Sequence, residues 1–564
     1  MDFEMYYQKA SDYVRFEEED VFKKEVIQAM NQDDVDDLHD RFYTELAFGT
    51  AGMRGVIGGG YNRMNPFIVR RVTQGFADYL NEAVPSGASV VIAYDSRSYS
   101  DVFAKNTAEV LCANGVRVYL YDSIHPVPLL SYAVRNLKTT AGVVITASHN
   151  PPQYNGYKVY WSDGGQVITP HDTGIVEKVR LVTDGNMIKS LSLDEATEKG
   201  LLSGVPAEVD ESYYQMVLSD PVRAEIFAKD IPCKVVYTPI HGSGNVPIQH
   251  LLKTLGVDYH VVKEQEEPDG KFPTVTMPNP ENPQAMSLAI ELGKKVKADI
   301  ILGTDPDSDR LGIGFPTDES KEDFSLLNGN QIAVLLCDYL LSTRKVENQG
   351  VCVKSIVTTD LLRSLAEKHG AECEDVLTGF KYIADQMSKM AQEGKSFIFG
   401  AEESYGYNSL ADVHDKDAVS SAILAVEMML YHAAQGKSLL DRLEEIWVTY
   451  GYYLEKVFSK DYPGSEGKAE MDAIMKRYRE ATPSEIGGMQ VVKVEDLLDG
   501  SGELPPANVI IIRLEGGSKV IVRPSGTEPK IKFYLFSVSH KDDLDEAKAE
   551  SLERQNAMIE SLGL

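Results

Sequence analysis

A chain of 564 residues exceeds what one hydrophobic core can serve, because cores stop growing at roughly 250 to 300 residues, so about three to five domains are expected. Its 43% hydrophobic and 25% charged content exclude wholesale disorder and fibrous repeats. Lysine plus arginine (56) against aspartate plus glutamate (86) leaves a formal charge of -30, which repels nucleic acid and anionic lipid; any anionic substrate must be met by cations gathered locally.

The opening MDFEMYYQKASDYVRFEEED has no basic stretch followed by an apolar run, so no signal peptide is read and a cytoplasmic location is expected. The five cysteines (Cys112, Cys233, Cys337, Cys352, Cys373) form no CxxC pair, and buried free thiols are expected. Arg54 lies in the glycine-rich stretch FGTAGMRG; taken alone it is a surface charge, but it also answers the need for local positive potential.

From residue 90 onward one pattern occurs three times. VVIAYDSR runs through an amphipathic segment to Gly115 and VRVYLYD; VVYTPIHGSG runs to Gly256 and VDYHVVK; VCVKSIVTTD runs to Gly370 and AECEDVL. Each copy reads as a strand, a helix, a glycine suited to a helix C-cap, and a second strand, which predicts sheets with parallel strands covered by helices. Each is followed by an apolar strand ending in a polar loop: AGVVITASHNP, ADIILGTDPDSDR and KSFIFGAEESYGY. Ligands of open α/β sheets bind beyond the carboxyl ends of strands, so these three loops are where chemistry is expected.

In the first loop, Ser148 and His149 precede Pro151 and Pro152, which fix the backbone and predict a serine exposed in a defined direction. The flanks are not GxSxG, so acyl transfer has no support, and a merely hydrogen-bonded loop serine is the competing reading. Lys158, shortly after, adds a cation. In the second loop, Asp305, Asp307 and Asp309 alternate in GTDPDSDR and repel one another unless a cation sits among them. Arg310 and Pro316 stand where a calcium EF-hand loop needs glycine and glutamate, whereas a short set of oxygen ligands suits magnesium; a solvated acidic turn is the alternative. In the third loop, Glu402 and Ser404, two apart on an extended chain, would point the same way and suit paired sugar hydroxyls. HDKDA then supplies Lys416, and Ala418 to Ala434, apolar but carrying Glu427, reads as a buried helix.

Beyond Leu439 a helix, a short extended piece around Tyr450 to Val457 and another helix are expected. SKVIVRPSGTEPKIKFYLFSV follows as two strands around a tight turn, then a polar helix from about Asp542. Arg523 with Ser525, Gly526 and Thr527 on that turn would make a phosphate-binding nest, a plain hairpin turn being the other reading. The lysine spacing of a nucleotide P-loop is missing.

Taken in order, TASHNP, GTDPDSDR, GAEESYGY and RPSGTEP resemble the α-D-phosphohexomutase family over nearly the whole chain. The resemblance implies three related α/β domains with mixed sheets sandwiched by helices and a smaller C-terminal α+β domain, around a central cleft. The expected boundaries are 1-205, 206-322, 323-445 and 446-564. It further implies that Ser148 is phosphorylated and that Asp305, Asp307 and Asp309 bind Mg2+ together with that phosphate. Arg54, His149, Lys158, Arg310 and Lys416 would surround the transferring phosphate. Glu402 and Ser404 would bind sugar hydroxyls, Thr378 and Gly379 would help choose the sugar orientation, and Arg523, Ser525, Gly526 and Thr527 would hold the other phosphate.

The implied reaction passes a phosphoryl group from the serine to a sugar monophosphate and takes the other one back, through a bisphosphate that also serves as primer. GTAGMRG, TPIHGSG and AEESYGY resemble the branch that acts on glucose and pentose phosphates. Interconversion of glucose 1-phosphate and glucose 6-phosphate, with glucose 1,6-bisphosphate as primer, is therefore the first expectation, and mannose or pentose phosphate the alternatives. A sugar-phosphate phosphatase and a silent sensor are the competing classes. A monomer or homodimer without nucleic-acid or membrane partners is expected.

Overall fold

The computed structural model describes residues 3-49, 52-229, 231-346, 349-462, 464-500, 504-525 and 530-564. They gather into two compact units: residues 1-328 with 387-392 and 404-430, and residues 329-386 with 393-403 and 431-564.

The first unit carries two mixed sheets. In the first, strands lie side by side in the order Met53–Val56, Tyr154–Trp161, Ala141–Ile145, Ser89–Tyr94, Arg117–Leu120 and Leu202–Gly204. The strand Tyr154–Trp161 runs antiparallel to both its neighbours and the remaining pairings are parallel. The strand VVIA is apolar throughout because both faces are covered. Val90 and Ile92 enter one buried cluster with the helices Pro66–Ala83 and Ser100–Ala113, while Val91 and Ala93 enter another with the helix Val127–Asn136. The second sheet orders Phe324–Leu326, Leu311–Pro316, Ile300–Thr304, Lys234–Thr238 and Asp258–Val261, the first two pairings antiparallel and the last two parallel.

In the second unit, Glu372–Val376, Val351–Ser355 and Phe397–Glu402 lie in that order, all parallel. Its other sheet is antiparallel and orders Tyr452–Asp461, Lys530–Ser539, Lys519–Pro524, Ile510–Leu514, Met489–Asp496 and Glu485–Ile486. Here too alternate residues part company: Ile510 and Ile512 pack with Tyr478 and Met558, whereas Ile511 and Ile521 pack with Ile356, Val357 and Leu377.

The threefold repetition is therefore real. In each copy the central strand lies between the strand that follows its helix and the strand that carries the polar loop. Gly115, Gly256 and Gly370 close the helices at φ of 80°, 72° and 75°, the left-handed region that glycine adopts without a Cβ penalty. The C-terminal part also follows the expectation, with helices Leu439–Tyr450 and Gly464–Glu480 flanking Tyr452–Asp461, and a last helix Leu544–Leu562. The apolar stretch forms the helix Ala418–Ala433, and its Glu427 is buried against Arg223 at 2.7 Å. Among the described residues no helix is long and apolar enough to cross a membrane. Of the five free cysteines, Cys233 is only half-buried; the others are buried as expected.

The helix Pro66–Ala83 packs on His171–Leu181 at Gly75, where an added Cβ would stand 2.5 Å from Val179 Cα and 2.6 Å from its nitrogen. Backbone atoms cannot yield as a side-chain tip can. Gly75→Ala is therefore expected to destabilise the protein by about 1 to 3 kcal/mol, read as a lower calorimetric Tm, although alanine favours helix.

Candidate active site

The loops after Ala141–Ile145 and after Ile300–Thr304 meet within the first unit. Ser148 lies in the left-handed region (φ 51°), its N–H donating to Thr146 Oγ1 at 2.7 Å. Its hydroxyl donates to Asp305 Oδ2 at 3.0 Å and lies 3.1 Å from His149 Nδ1. The expected exposed serine is instead 3% exposed, because the aspartate loop covers it. Its direction is fixed, as the prolines predicted.

Asp305, Asp307 and Asp309 are all buried, each offering a carboxylate oxygen within 4.8 Å of the others. The backbone N–H groups of Asp309 and Arg310 donate to Asp305 Oδ1 at 3.1 and 3.0 Å, which turns the loop around that carboxylate. Burial, reinforced by Asp307 and Asp309, pushes the Asp305 carboxyl well above the usual carboxylate range. Burial opposes ionisation of Asp307 as well, but Lys158, a hydrogen bond from Asp305 and Lys416 together outweigh it and hold that carboxyl below the usual range. Among the described residues Asp307 Oδ1 and Asp309 Oδ1 are buried without a hydrogen-bond partner, Arg310 Nε lying 3.9 Å from the latter. Orphaned buried carboxylate oxygens are costly unless a cation meets them, so this donor set fits a hard divalent cation and not a solvated acidic turn.

Cations ring the group. Lys158 Nζ donates to Asp307 at 3.1 Å and lies 3.8 Å from Asp309. Lys416 Nζ lies 3.1 Å from Asp309 and 2.9 Å from Asp415, whose other oxygen accepts from Tyr160 at 2.7 Å. A Cβ on Gly406 would stand 2.2 Å from the Lys416 stem, so the glycine of SYGY makes room for that lysine. Arg54 holds Asn150 Oδ1 at 2.7 Å. Burial first, then Arg310, Arg54, Lys158 and Arg97, drive the His149 pKa well below its ordinary value, so the imidazole is neutral at neutral pH. Five positive side chains thus gather in a chain of net charge -30. Such local potential suits a phosphate.

All the expected residues of the transferring-phosphate group (Arg54, Ser148, His149, Lys158, Asp305, Asp307, Asp309, Arg310, Lys416) come together here. The sugar and distal-phosphate candidates are distributed differently. In the second unit, Glu402 Oε1 accepts from the Gly379 N–H at 2.7 Å, and Thr378 Oγ1 is buried without a hydrogen-bond partner among the described residues. Tyr534 feels Glu403, Arg523 and Glu402 together, which places Arg523 near the end of the strand Phe397–Glu402. The Ser525 N–H, just after the strand Lys519–Pro524, donates to Lys530 O at 2.8 Å; Gly526 and Thr527 lie outside the described residues. Ser404 belongs to the first unit. Residues 403-405 form a turn, with Tyr405 at φ 67°, so the extended-chain alternation expected of Glu402 and Ser404 does not apply.

Several participants were not singled out from the sequence: Asp95, Arg97 and Thr146 beneath Ser148, and Asp415 beside Lys416. Asp95 and Arg97 stand in the VVIAYDSR segment, at the carboxyl end of a strand. That position was itself the available signal.

Known proteins bear on this geometry. The chain matches the phosphoglucomutase/phosphomannomutase family models, α/β/α domain I over residues 45–184, domain II over 211–317 and domain III over 328–450. The chain belongs to this family of α-D-phosphohexomutases. It is 39% identical over 512 residues to the phosphoglucomutase of Staphylococcus epidermidis RP62A, covering 88% of this chain and 92% of that one. It is 38% identical over 509 residues to the phosphoglucomutase of Staphylococcus aureus MRSA252, covering 88% and 90%. Among solved structures, parafusin, a phosphoglucomutase of Paramecium in its open form, superposes with a TM-score of 0.71 at 18% identity, covering 92% of this chain and 95% of that one. A phosphoglucomutase/phosphomannomutase family protein of Burkholderia thailandensis gives 0.67 at 18% identity, covering 92% and 98%. Those two likenesses speak for the fold.

The orphaned aspartate oxygens generate a measurable expectation. Adding divalent cation to chelator-treated protein should raise Tm, the stabilisation reaching about 2.7 kcal/mol at a free concentration of 100 times Kd. Asp307→Asn with Asp309→Asn should abolish the rise; an unchanged rise in the double variant would show that the cation binds elsewhere.

Proposed function

We infer that the chain works as a phosphoglucomutase, with Ser148 as the residue that carries the phosphoryl group. The observation that carries this reading is the 3.0 Å contact of Ser148 Oγ with Asp305, inside a buried carboxylate group ringed by Lys158, Lys416, Arg54 and Arg310. A hydroxyl held there is poorly served by burial alone and well served as the attachment point of a phosphoryl group.

In this reading a hydroxyl oxygen of the glucose monophosphate attacks phosphorus, its O–P bond forms, the Ser148 Oγ–P bond breaks, and the bisphosphate results. After the bisphosphate turns over, Ser148 Oγ attacks the other phosphoryl group and the product leaves. Mg2+, held by Asp305, Asp307 and Asp309, would supply neutralisation of charge on the phosphoryl oxygens. Lys158, Lys416, Arg54 and Arg310 hold and orient the same oxygens. The proton that the sugar hydroxyl loses ends on Ser148 Oγ; the neutral His149, 3.1 Å from Oγ, relays it by accepting it and handing it on with no net change in its own charge, and the return transfer runs the relay backwards. Glu402, Ser404, Thr378 and Gly379 bind the sugar, and Arg523, Ser525, Gly526 and Thr527 bind the phosphate that is not transferred. Glucose 1,6-bisphosphate primes the enzyme, and the reaction is cytoplasmic. The proposed domain limits stay at 1-205, 206-322, 323-445 and 446-564.

The test is a panel of glucose, mannose and ribose 1-phosphates with Mg2+ and the matching bisphosphates. Glucose 6-phosphate is expected with the highest kcat/KM; a higher value for mannose or ribose would move the specificity, and isomerised product from none would end the mutase reading. Ser148→Ala should lose at least about 10³-fold in kcat while keeping Tm, since it removes the carrier and not a packing group. Phosphopeptide mapping should find the phosphoryl group on Ser148 and no other residue.

A further inference from the structure

Ser148 is a non-glycine residue in a backbone region that costs energy, and such residues persist only where their surroundings over-determine them. The group that does so here is Arg97. Its guanidinium is fully buried and donates to the carbonyl oxygens of Ser148 at 2.6 Å, Pro151 at 2.9 Å and Tyr154 at 3.0 Å, and also to that of Asn150. One planar fork therefore gathers four carbonyls of the 148-154 segment. Asp95, also buried, lies 3.4 Å from the Arg97 Nε and accepts from the Arg97 N–H at 2.9 Å, Ser100 Oγ at 2.8 Å and Thr146 Oγ1 at 2.6 Å. The Thr146 hydroxyl accepts the Ser148 N–H and has one proton for two carboxylates, Asp95 Oδ2 at 2.6 Å and Asp307 Oδ2 at 3.1 Å. The ring of Phe272 closes the far side, 5.2 Å from the guanidinium carbon.

We propose that Arg97 is a positioning residue for phosphoryl transfer: by clamping the carbonyl of Ser148 and three carbonyls that follow it, it fixes the serine oxygen at the distance and angle that the aspartates and His149 require. Thr146 carries the same constraint from the amide side through Asp95. Among the described residues Arg97 makes no hydrogen bond to the reacting oxygen or to the three aspartate carboxylates; it also adds positive charge beside His149, which a lysine in its place would keep. A displacement near 1 Å costs an oriented reaction about 100-fold. Lysine keeps the charge but has no planar fork to span several carbonyls. The proposal rests on Ser148 being the carrier.

The experiment compares Arg97→Lys, Thr146→Val and Ser148→Ala in the full chain with Mg2+. Active sites are counted by phosphoryl incorporation from glucose 1,6-bisphosphate, and Tm is recorded for each. For Arg97→Lys, kcat per phosphorylated site should fall about 100-fold while KM stays within roughly threefold, a split that partial unfolding does not produce. Thr146→Val, nearly isosteric, should lose about 10-fold in the same quantity while the cation-induced rise in Tm is unchanged, which separates loss of the serine's amide anchor from loss of the Asp307 contact, and it decides the matter if Arg97→Lys does not fold. A kcat per site within roughly threefold of the parent in the folded variant overturns the proposal. Full activity in Ser148→Ala would overturn the carrier reading instead, so the two failures are distinguishable.

Discussion

Three carboxylates without solvent, within 4.8 Å of one another, are the constraint on which the first unit turns. In a low-dielectric interior their mutual repulsion is severe, and isolated buried charges are tolerated only when paired. The chain answers on several sides: Lys158 and Lys416 from outside the loop, backbone N–H groups around Asp305, and Asp415 and Tyr160 fixing Lys416 in turn. Two oxygens are still left over. That donor set fits a hard divalent cation.

The same constraint explains why the repeated units matter. Each copy places its polar loop beyond the carboxyl end of the strand beside the central one. Backbone there has left the sheet and is free to turn, while the strand behind it is anchored on both faces. The 148 and 305 loops are thereby presented as rigid pieces, and Val127 N–H to Asp307 O (2.9 Å) and Ser243 to Pro306 O (2.8 Å) brace the second of them. The TPIHGSG segment is thus a buttress of the aspartate loop.

The second unit relies on a different device. Lys354, on a parallel strand, is fully buried between Asp360 (2.9 Å) and Asp375 (2.8 Å), and Lys519, from the antiparallel sheet, reaches the same Asp360 at 2.7 Å. Shared charge together with the Ile356, Val357, Ile511 and Ile521 cluster ties the sheet bearing Glu402 to the sheet bearing Arg523. Apolar packing alone can slide, whereas a charge out of water cannot leave its partner cheaply.

What the sequence determined by itself was whatever depends on neighbours along the chain: the apolar runs, the glycines closing three helices, the three polar loops of the repeated units and the residue types within them. Those signals are short-range, and the family resemblance rests on the same stretches. Tertiary structure alone decided what depends on residues far apart in number. It buried Ser148 by laying residue 305 over it, orphaned two aspartate oxygens, turned the chain between Glu402 and Ser404, and drew Arg97 under residues 148 to 154. Hydrogen bonds across such separations leave no periodicity to read: the sequence puts Arg97 at the carboxyl end of a strand, and only the fold puts it beneath the serine.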